Sequence, residues 1–279
     1  MGDLKALSRP ESRPIGIIAG SGQFPLMIAR AARARGRRIV ALAHVGETWP
    51  ELEHEVDEVH WIKLGQLGKI VKTFQKAGVT EAIMAGAITK TKLYAKALPD
   101  LKGLSLLTKL REMRDDGILR AVASVLEAEG IKVQPSTLFS EELTVKPGVH
   151  SRRKPSKRQE EDIRFGFKIA KEIGKLDIGQ TVVVRRGAVV ALEAIEGTDA
   201  CIERGGRLAR EDAVVVKVSK PDQDLRFDMP AVGLKTVETL IEAKVAVLAV
   251  EAGKTLFFDF EKAVQLADEH KIVVVGVTQ

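Results

Sequence analysis

Short, dense apolar runs alternate along this chain with longer stretches whose apolar positions recur every three or four residues. Dense runs bounded by Gly or Pro read as buried strands, and the wider spacing reads as amphipathic helix. The first half then carries strands at Ile15–Ala19, 38–43, Glu58–Ile62, 82–85 and Lys132–Gln134, with helices at 26–35 and 67–77 and two more within 101–128. Strands separated by helices pair in parallel through crossovers, which predicts a Rossmann-like sheet. In the second half the pattern predicts a helix at 160–173, then a hairpin of 181–184 and 188–194 around Arg185-Arg186-Gly187. A helix at 200–208, a strand at 213–218 and a loop at 219–230 follow. The tail alternates helix Leu234–Glu242, strand 245–250, helix Phe260–Glu269 and strand 272–277. The fold class is α/β in two domains, an N-terminal Rossmann-like parallel sheet and a C-terminal mixed α/β domain. Residues 1–13 read as a flexible tail, 14–140 as the first domain and 160–279 as a second, catalytic domain. Between them, 141–159 holds Pro147, Gly148, Pro155 and a run of cations, and reads as a mobile basic connection.

Composition narrows the class. At 279 residues, 45% of them hydrophobic, the chain can bury a sizeable core. Its longest apolar runs fall well short of the roughly 20 residues that cross a bilayer, and the first dozen residues lack the apolar centre of a secretion signal. A cytoplasmic location is expected. One cysteine, Cys201, excludes an intramolecular disulfide, and five scattered His exclude a Cys/His zinc cluster. Any metal is therefore expected to be Mg2+ or Mn2+, held by carboxylates, phosphates and water. The net charge of +6 gathers at Arg30, Arg33, Arg35, Arg37 and Arg38, and again at Arg152, Arg153, Lys154, Lys157 and Arg158. Such clusters serve as solvated faces or meet anionic lipid headgroups and phosphates. With 4% aromatics and no base-stacking motif, nucleic acid is not an expected partner.

Four places could carry chemistry. After the first strand, Gly20-Ser21-Gly22-Gln23-Phe24-Pro25 is a glycine turn entering a helix, where the amides of Ser21, Gly22 and Gln23 are placed to hold a phosphate or simply to make a tight turn. Pro25 stands where a dinucleotide fingerprint has its third Gly, and His44 stands near the position of the ribose-binding acid, so NAD is disfavoured. Asp115-Asp116 precedes an apolar helical pattern, suiting either the helix dipole or, through Asp116, a metal. Between 173 and 199 the hairpin leaves Asp177, Gln180, Glu193, Glu196, Thr198 and Asp199 at its ends, and Gly197-Thr198-Asp199 suits a helix cap or a phosphate and metal pocket. The loop 219–230 gathers Lys220, Asp224, Arg226 and Asp228, either as surface salt bridges or as phosphate and metal contacts.

Read in order, GIIAGSGQFP from Gly16, RDDGILRAV from Arg114, AKEIGKLDIGQTVVV from Ala170, ALEAIEGTDACIER from Ala191, KVSKPDQDLRFDMPAVG from Lys217 and EAGKTLFFD from Glu251 resemble the LpxI-type UDP-2,3-diacylglucosamine pyrophosphatases. The resemblance is collinear from Pro14 onward. It implies metal-dependent hydrolysis of UDP-2,3-diacylglucosamine to UMP and 2,3-diacylglucosamine 1-phosphate (lipid X) in lipid A biosynthesis, with the lipid held between two domains. It implies that Asp228 is the essential acid, as metal ligand or water-orienting base; Asp116 and Asp199, read from the residues themselves, are weaker metal candidates. Lys217, Lys220 and Arg226 would then meet phosphates, and Gln180 and Thr198 the sugar or phosphate. Ser21 and Gly22 fall in the family's glycine turn, and Gly86-Ala87 stands where the family has Gly-Asn, so contact at Ala87 would come from backbone. Transient contact with the inner membrane surface and a homodimer are further expectations. Two other readings stay open: a noncatalytic nucleotide-sugar or lipid sensor, and an NAD-dependent oxidoreductase.

Overall fold

The computed structural model describes residues 13–88, 100, 102–104, 115–226 and 228–278. The chain divides into two compact units, Met1–Ser140 and Glu141–Gln279. Apart from Arg13, the expected N-terminal tail lies outside the described residues.

In the first unit, β1 (Ile15–Ala19), β2 (Ile39–His44), β3 (Glu58–Ile62), β4 (Glu81–Ala85) and β5 (Lys132–Gln134) form one sheet in the order β3-β2-β1-β4-β5. Every neighbouring pair is parallel, as a βα repeat requires. β1 and β2 are buried along their whole length, which is why they read as apolar runs and not alternations, with His44 closing β2. Crossovers are made by α1 (Phe24–Ala34), α2 (Leu67–Lys76) and α3 (Asp115–Ala128). α1 begins two residues earlier than the apolar spacing predicts, because Pro25 is accommodated within its first turn, where no amide hydrogen is needed. The chain leaves β1 for β2 and β3, then returns to β4 on β1's other side. The turns after β1 and β4 therefore meet at the carboxyl edge, where open α/β sheets place ligands.

The second unit is built on six strands in the order β6-β13-β11-β9-β7-β8. β9 (Ala213–Lys217), β11 (Val245–Glu251) and β13 (Val273–Val277) run parallel. The hairpin β7 (Thr181–Arg185) and β8 (Ala188–Leu192) runs antiparallel to β9 on one side, and β6 (Gly148–Val149) antiparallel to β13 on the other. Alternate residues of these strands feed two cores. On one face, Val182, Val184, Val214, Val216, Val247 and Val275 meet Ile163, Phe167, Ala170 and Ile173 of α4 (Lys157–Lys175). On the other, Val183, Val215, Leu248, Val250 and Val274 meet α5 (Thr198–Ala209), α6 (Leu234–Glu242) and α7 (Phe260–Glu269). Each fully buried Val or Ile contributes about 1.5–3 kcal/mol, so the face assignment is strongly fixed. A two-stranded ribbon, β10 (Ala231–Val232) with β12 (Leu256–Phe257), lies outside the main sheet.

The stretch 141–159 carries ordered elements beyond the expected connection. Gly148–Val149 joins the sheet, Ser151 Oγ accepts from Val274 N at 2.9 Å, and the Arg152 amide donates to Asp268 Oδ1 at 2.7 Å. α4 also starts before residue 160. Ser156 and Gln159 form a reciprocal capping box, at 3.3 and 2.9 Å, which fixes Lys157 as the first helical residue. The hairpin turn falls at Arg186-Gly187, within the expected Arg185-Arg186-Gly187, while Arg185 ends β7; its partner was not announced by the sequence, since both turn amides donate to buried Asp162, at 2.8 and 2.6 Å. No helix among the described residues is long and apolar enough to cross a membrane.

Candidate active site

At the carboxyl edge of the first sheet, the turns after β1 and β4 are locked together. Gly20 N donates to Ala85 O at 2.8 Å, Ser21 N to Ala87 O at 2.7 Å, and Ala87 N to Ser21 O at 3.2 Å. Ser21 Oγ also donates to Ala87 O at 2.9 Å. A Cβ on Gly20 would stand 2.4 Å from Ala87 O, and one on Gly86 2.6 Å from Ser21 O, so this close approach needs glycine at both positions. The amide of Ser21, expected to face a phosphate, is therefore committed to Ala87. Ser21, Gly86 and Ala87 are brought together, with Gly22 and Gln23 in the same turn.

His44, at the end of β2, is buried with Nδ1 2.9 Å from Ala19 O, which also accepts from Thr48 Oγ1 at 2.6 Å. Burial holds its pKa below the ordinary 6.5, against the opposing effects of the Ala19 carbonyl and Glu47. The unfolded chain thus takes up a proton that the folded one resists, and stability falls as pH drops below about 6.5. His44→Gln is expected to keep a donor for Ala19 and to flatten that acid slope. Urea unfolding at several pH values between about 7 and 5 reads the difference.

The second unit gathers a denser cluster. β9 delivers Lys217 at its carboxyl end, where only 6% of the residue is exposed. Its ammonium donates to Thr198 Oγ1 at 3.0 Å and to Ala231 O at 2.8 Å. Thr198 Oγ1 passes its own hydrogen to Glu193 Oε1 at 3.0 Å, and Glu193 Oε2 accepts from Gln180 N at 3.2 Å. Burial lowers the pKa of Lys217, and the carboxylates of Glu193, Asp199 and Asp228 oppose that shift. Gly197, at φ 84° and ψ 175°, caps α5 without any side-chain cap bond. The Thr198 hydroxyl bonds within the Lys217 and Glu193 network, and Gly197 takes the cap position, so Thr198 is not the side-chain cap of α5. Asp199 follows in the first turn of α5, with Lys235 at 3.7 Å. The side-chain oxygen of Gln180 is buried with no hydrogen-bond partner among the described residues.

The loop after β9 is held by a buried ion pair. Lys171 Nζ of α4 donates to Glu251 Oε2 at 2.6 Å and to Ser219 O at 2.8 Å, while Ser219 N donates to the same carboxylate oxygen at 2.8 Å. Burial pushes the Glu251 pKa up, but the bonds from Lys171, Ser219 and Lys254 together leave it below the ordinary value. Farther along, Lys220 pairs with Asp177, Arg226 pairs with Asp224 at 2.8 Å, and Gln223 Nε2 donates to Asp228 Oδ2 at 2.8 Å. Lys220 and Arg226, expected at phosphates, each have a carboxylate partner within the fold. The backbone of Asp116 lies in the first turn of α3, and its side chain lies outside the described residues, as does Phe227.

Lys217, Thr198, Asp199 and Asp228 thus share one electrostatic cluster, and Gln180 reaches it through Glu193. Glu193, Gln223, Asp177 and the Lys171–Glu251 pair are the parts that sequence reasoning did not assign. Of these, Asp177 and Glu193 carried a signal, standing among the polar residues that the sequence crowds at the hairpin's ends. Among the described residues no three His, Cys, Asp or Glu side chains converge as a ready-made metal cage.

Comparison with known proteins gives this arrangement a context. The family model of the LpxI N-terminal domain matches residues 14–143, and that of the LpxI C-terminal domain matches residues 146–275. The UDP-2,3-diacylglucosamine pyrophosphatase LpxI of Caulobacter vibrioides is 32% identical over 276 residues, covering 95% of this chain and 98% of the relative. Among solved structures, a GalE-like L-threonine dehydrogenase from Cupriavidus necator in its holo form aligns over 42% of this chain and 34% of its own, at 14% identity and a TM-score of 0.28. A leucoanthocyanidin reductase–NADPH complex from Vitis vinifera aligns over 53% and 41%, at 14% identity and a TM-score of 0.29. Structural likeness at that level carries no argument, whereas the two domain matches run in order over almost the whole sequence. The chain belongs to the LpxI family.

Proposed function

We propose that this chain hydrolyses the pyrophosphate bond of UDP-2,3-diacylglucosamine to UMP and 2,3-diacylglucosamine 1-phosphate. The end-to-end likeness to the Caulobacter pyrophosphatase carries the reading. The chemistry of the Lys217 cluster agrees with it. Pyrophosphate hydrolysis needs a positioned water and positive charge on the phosphate oxygens. Water adds to the β-phosphorus, the bond to the bridging oxygen breaks, and UMP leaves with that oxygen. Asp228 orients the attacking water and accepts its proton. The Lys217 ammonium, kept in the fold by Thr198 and the Ala231 carbonyl, offsets charge on the phosphates. The buried oxygen of Gln180 is an acceptor suited to a sugar hydroxyl.

The residues present fit a hard divalent cation. Asp199 and Asp228 are oxygen donors acting on one ammonium, and Mg2+ is commonly held by one or two carboxylates plus substrate phosphates. Asp228 and Asp199 would hold it, and when bound it supplies Lewis-acid neutralisation of the phosphate oxygens. A membrane surface is the proposed source of the lipid. Arg153, Lys154, Lys157 and Arg158 are all exposed, beside a loop pinned by Ser151 and Asp268, and suit an anionic bilayer.

The test is incubation of purified protein with the substrate and Mg2+, Mn2+ or chelator, following both products by mass spectrometry. Metal-dependent appearance of UMP and the lipid phosphate together is expected. Saturable binding with no turnover under any metal would favour a sensor instead. Presenting substrate in anionic or zwitterionic vesicles is expected to give faster, salt-sensitive turnover from the anionic ones, and equal rates would remove the membrane proposal.

A further inference from the structure

We infer that Gln223 is a positioning residue for the Asp228 carboxylate, an inference that rests on the hydrolytic reading of this site. Residues 220–223 form a turn closed twice, by Gln223 N donating to Lys220 O at 3.1 Å and by Lys220 N donating to Gln223 Oε1 at 3.0 Å. Pro221 occupies the second position of that turn, where its fixed φ is favoured. The double closure settles which way the amide points. A backbone N–H only donates, so it faces the amide oxygen, and the amide nitrogen is turned to Asp228 Oδ2 at 2.8 Å. The carboxylate is only an acceptor, so both contacts demand the same orientation.

The anchor behind this arm is rigid. Ser219, just before the turn, is fixed between Lys171 and Glu251 in the buried ion pair. From the other side, Asp228 N donates to Asp224 O at 3.1 Å, and the Asp224 carboxylate holds Arg226 through Nε and Nη2. Gln223 therefore links a pinned strand end to the acid proposed to handle water. A charge-assisted N–H bond fixes the plane of the carboxylate and the direction of its oxygens. A misplacement of about 1 Å at such a group costs on the order of 100-fold in rate.

Two variants test this. Gln223→Ala removes both arms of the amide. Gln223→Glu keeps an acceptor for the Lys220 amide but turns a second carboxylate, without a donor, toward Asp228. Both are expected to lower kcat by about 10- to 100-fold while KM stays within about threefold and the unfolding midpoint is kept. Wild-type kcat in Gln223→Glu would overturn the inference, as would a loss expressed only as KM or as unfolding. A second readout needs no turnover and separates this inference from the function itself. With glutamine side chains labelled by nitrogen-15, one carboxamide pair should exchange slowly with solvent and shift in Asp228→Asn. Absence of that pair, or no shift, would refute the contact whether or not the wild type hydrolyses the substrate.

Discussion

Asp228→Ala is expected to lose turnover on UDP-2,3-diacylglucosamine while remaining folded. Asp228 lies in the loop after β9 and is half-buried, outside both apolar cores of the second unit. Truncation therefore creates no core cavity, and the folded state loses the Gln223 bond and one opposing charge near Lys217. The transition state loses more. Removing a group that positions water or offsets phosphate charge costs about 3 kcal/mol or more, on the order of 100-fold in rate. Steady-state kinetics beside urea unfolding of the same sample reads both halves of the expectation. Normal activity in folded Asp228→Ala would sink the assignment of this acid.

Lys217→Met should fail differently, in stability and in rate together. Methionine replaces the aliphatic stem but leaves Thr198 and the Ala231 carbonyl without their donor, and Glu193 buried without its nearby ammonium. Removing one charge from a buried cluster costs about 3 kcal/mol or more. Adding Glu193→Gln removes the stranded carboxylate, so the double variant should recover part of the stability and none of the activity. Recovery of activity in that double variant would mean that Lys217 serves only the fold. Unfolding midpoints for the wild type, both single variants and the double variant complete the cycle.

Much of the fold was legible because apolar periodicity is local. The alternation from 234 to 277 predicted two helices and two strands that the structure places within a residue or so at each end. The Arg186-Gly187 turn was legible for the same reason. Gly148–Val149, Ala231–Val232 and Leu256–Phe257 were not, since two-residue strands are too short to show a period. The start of α4 was hidden in plain view: Ser156 and Gln159 carry the capping spacing, but the surrounding cations read as a connection. In the site, Thr198 and Asp199 gave one local signal for two uses, and the approach of Lys217 from β9, 19 residues along the chain, was no part of that signal. Partners far apart in sequence were beyond reach. Lys171 and Glu251 are 80 residues apart, and nothing local to either names the other.

Cleavage of a pyrophosphate between a nucleotide and a lipid sugar, with water delivered to the β-phosphorus, leaves a trace in the products. Hydrolysis in oxygen-18 water, with mass spectrometry of both products, tests it most directly. Paired release of UMP and 2,3-diacylglucosamine 1-phosphate is expected, with the label in the lipid phosphate and none in UMP. Label in UMP would contradict attack at the β-phosphorus, and no product from folded wild-type protein with Mg2+ or Mn2+ would contradict the function.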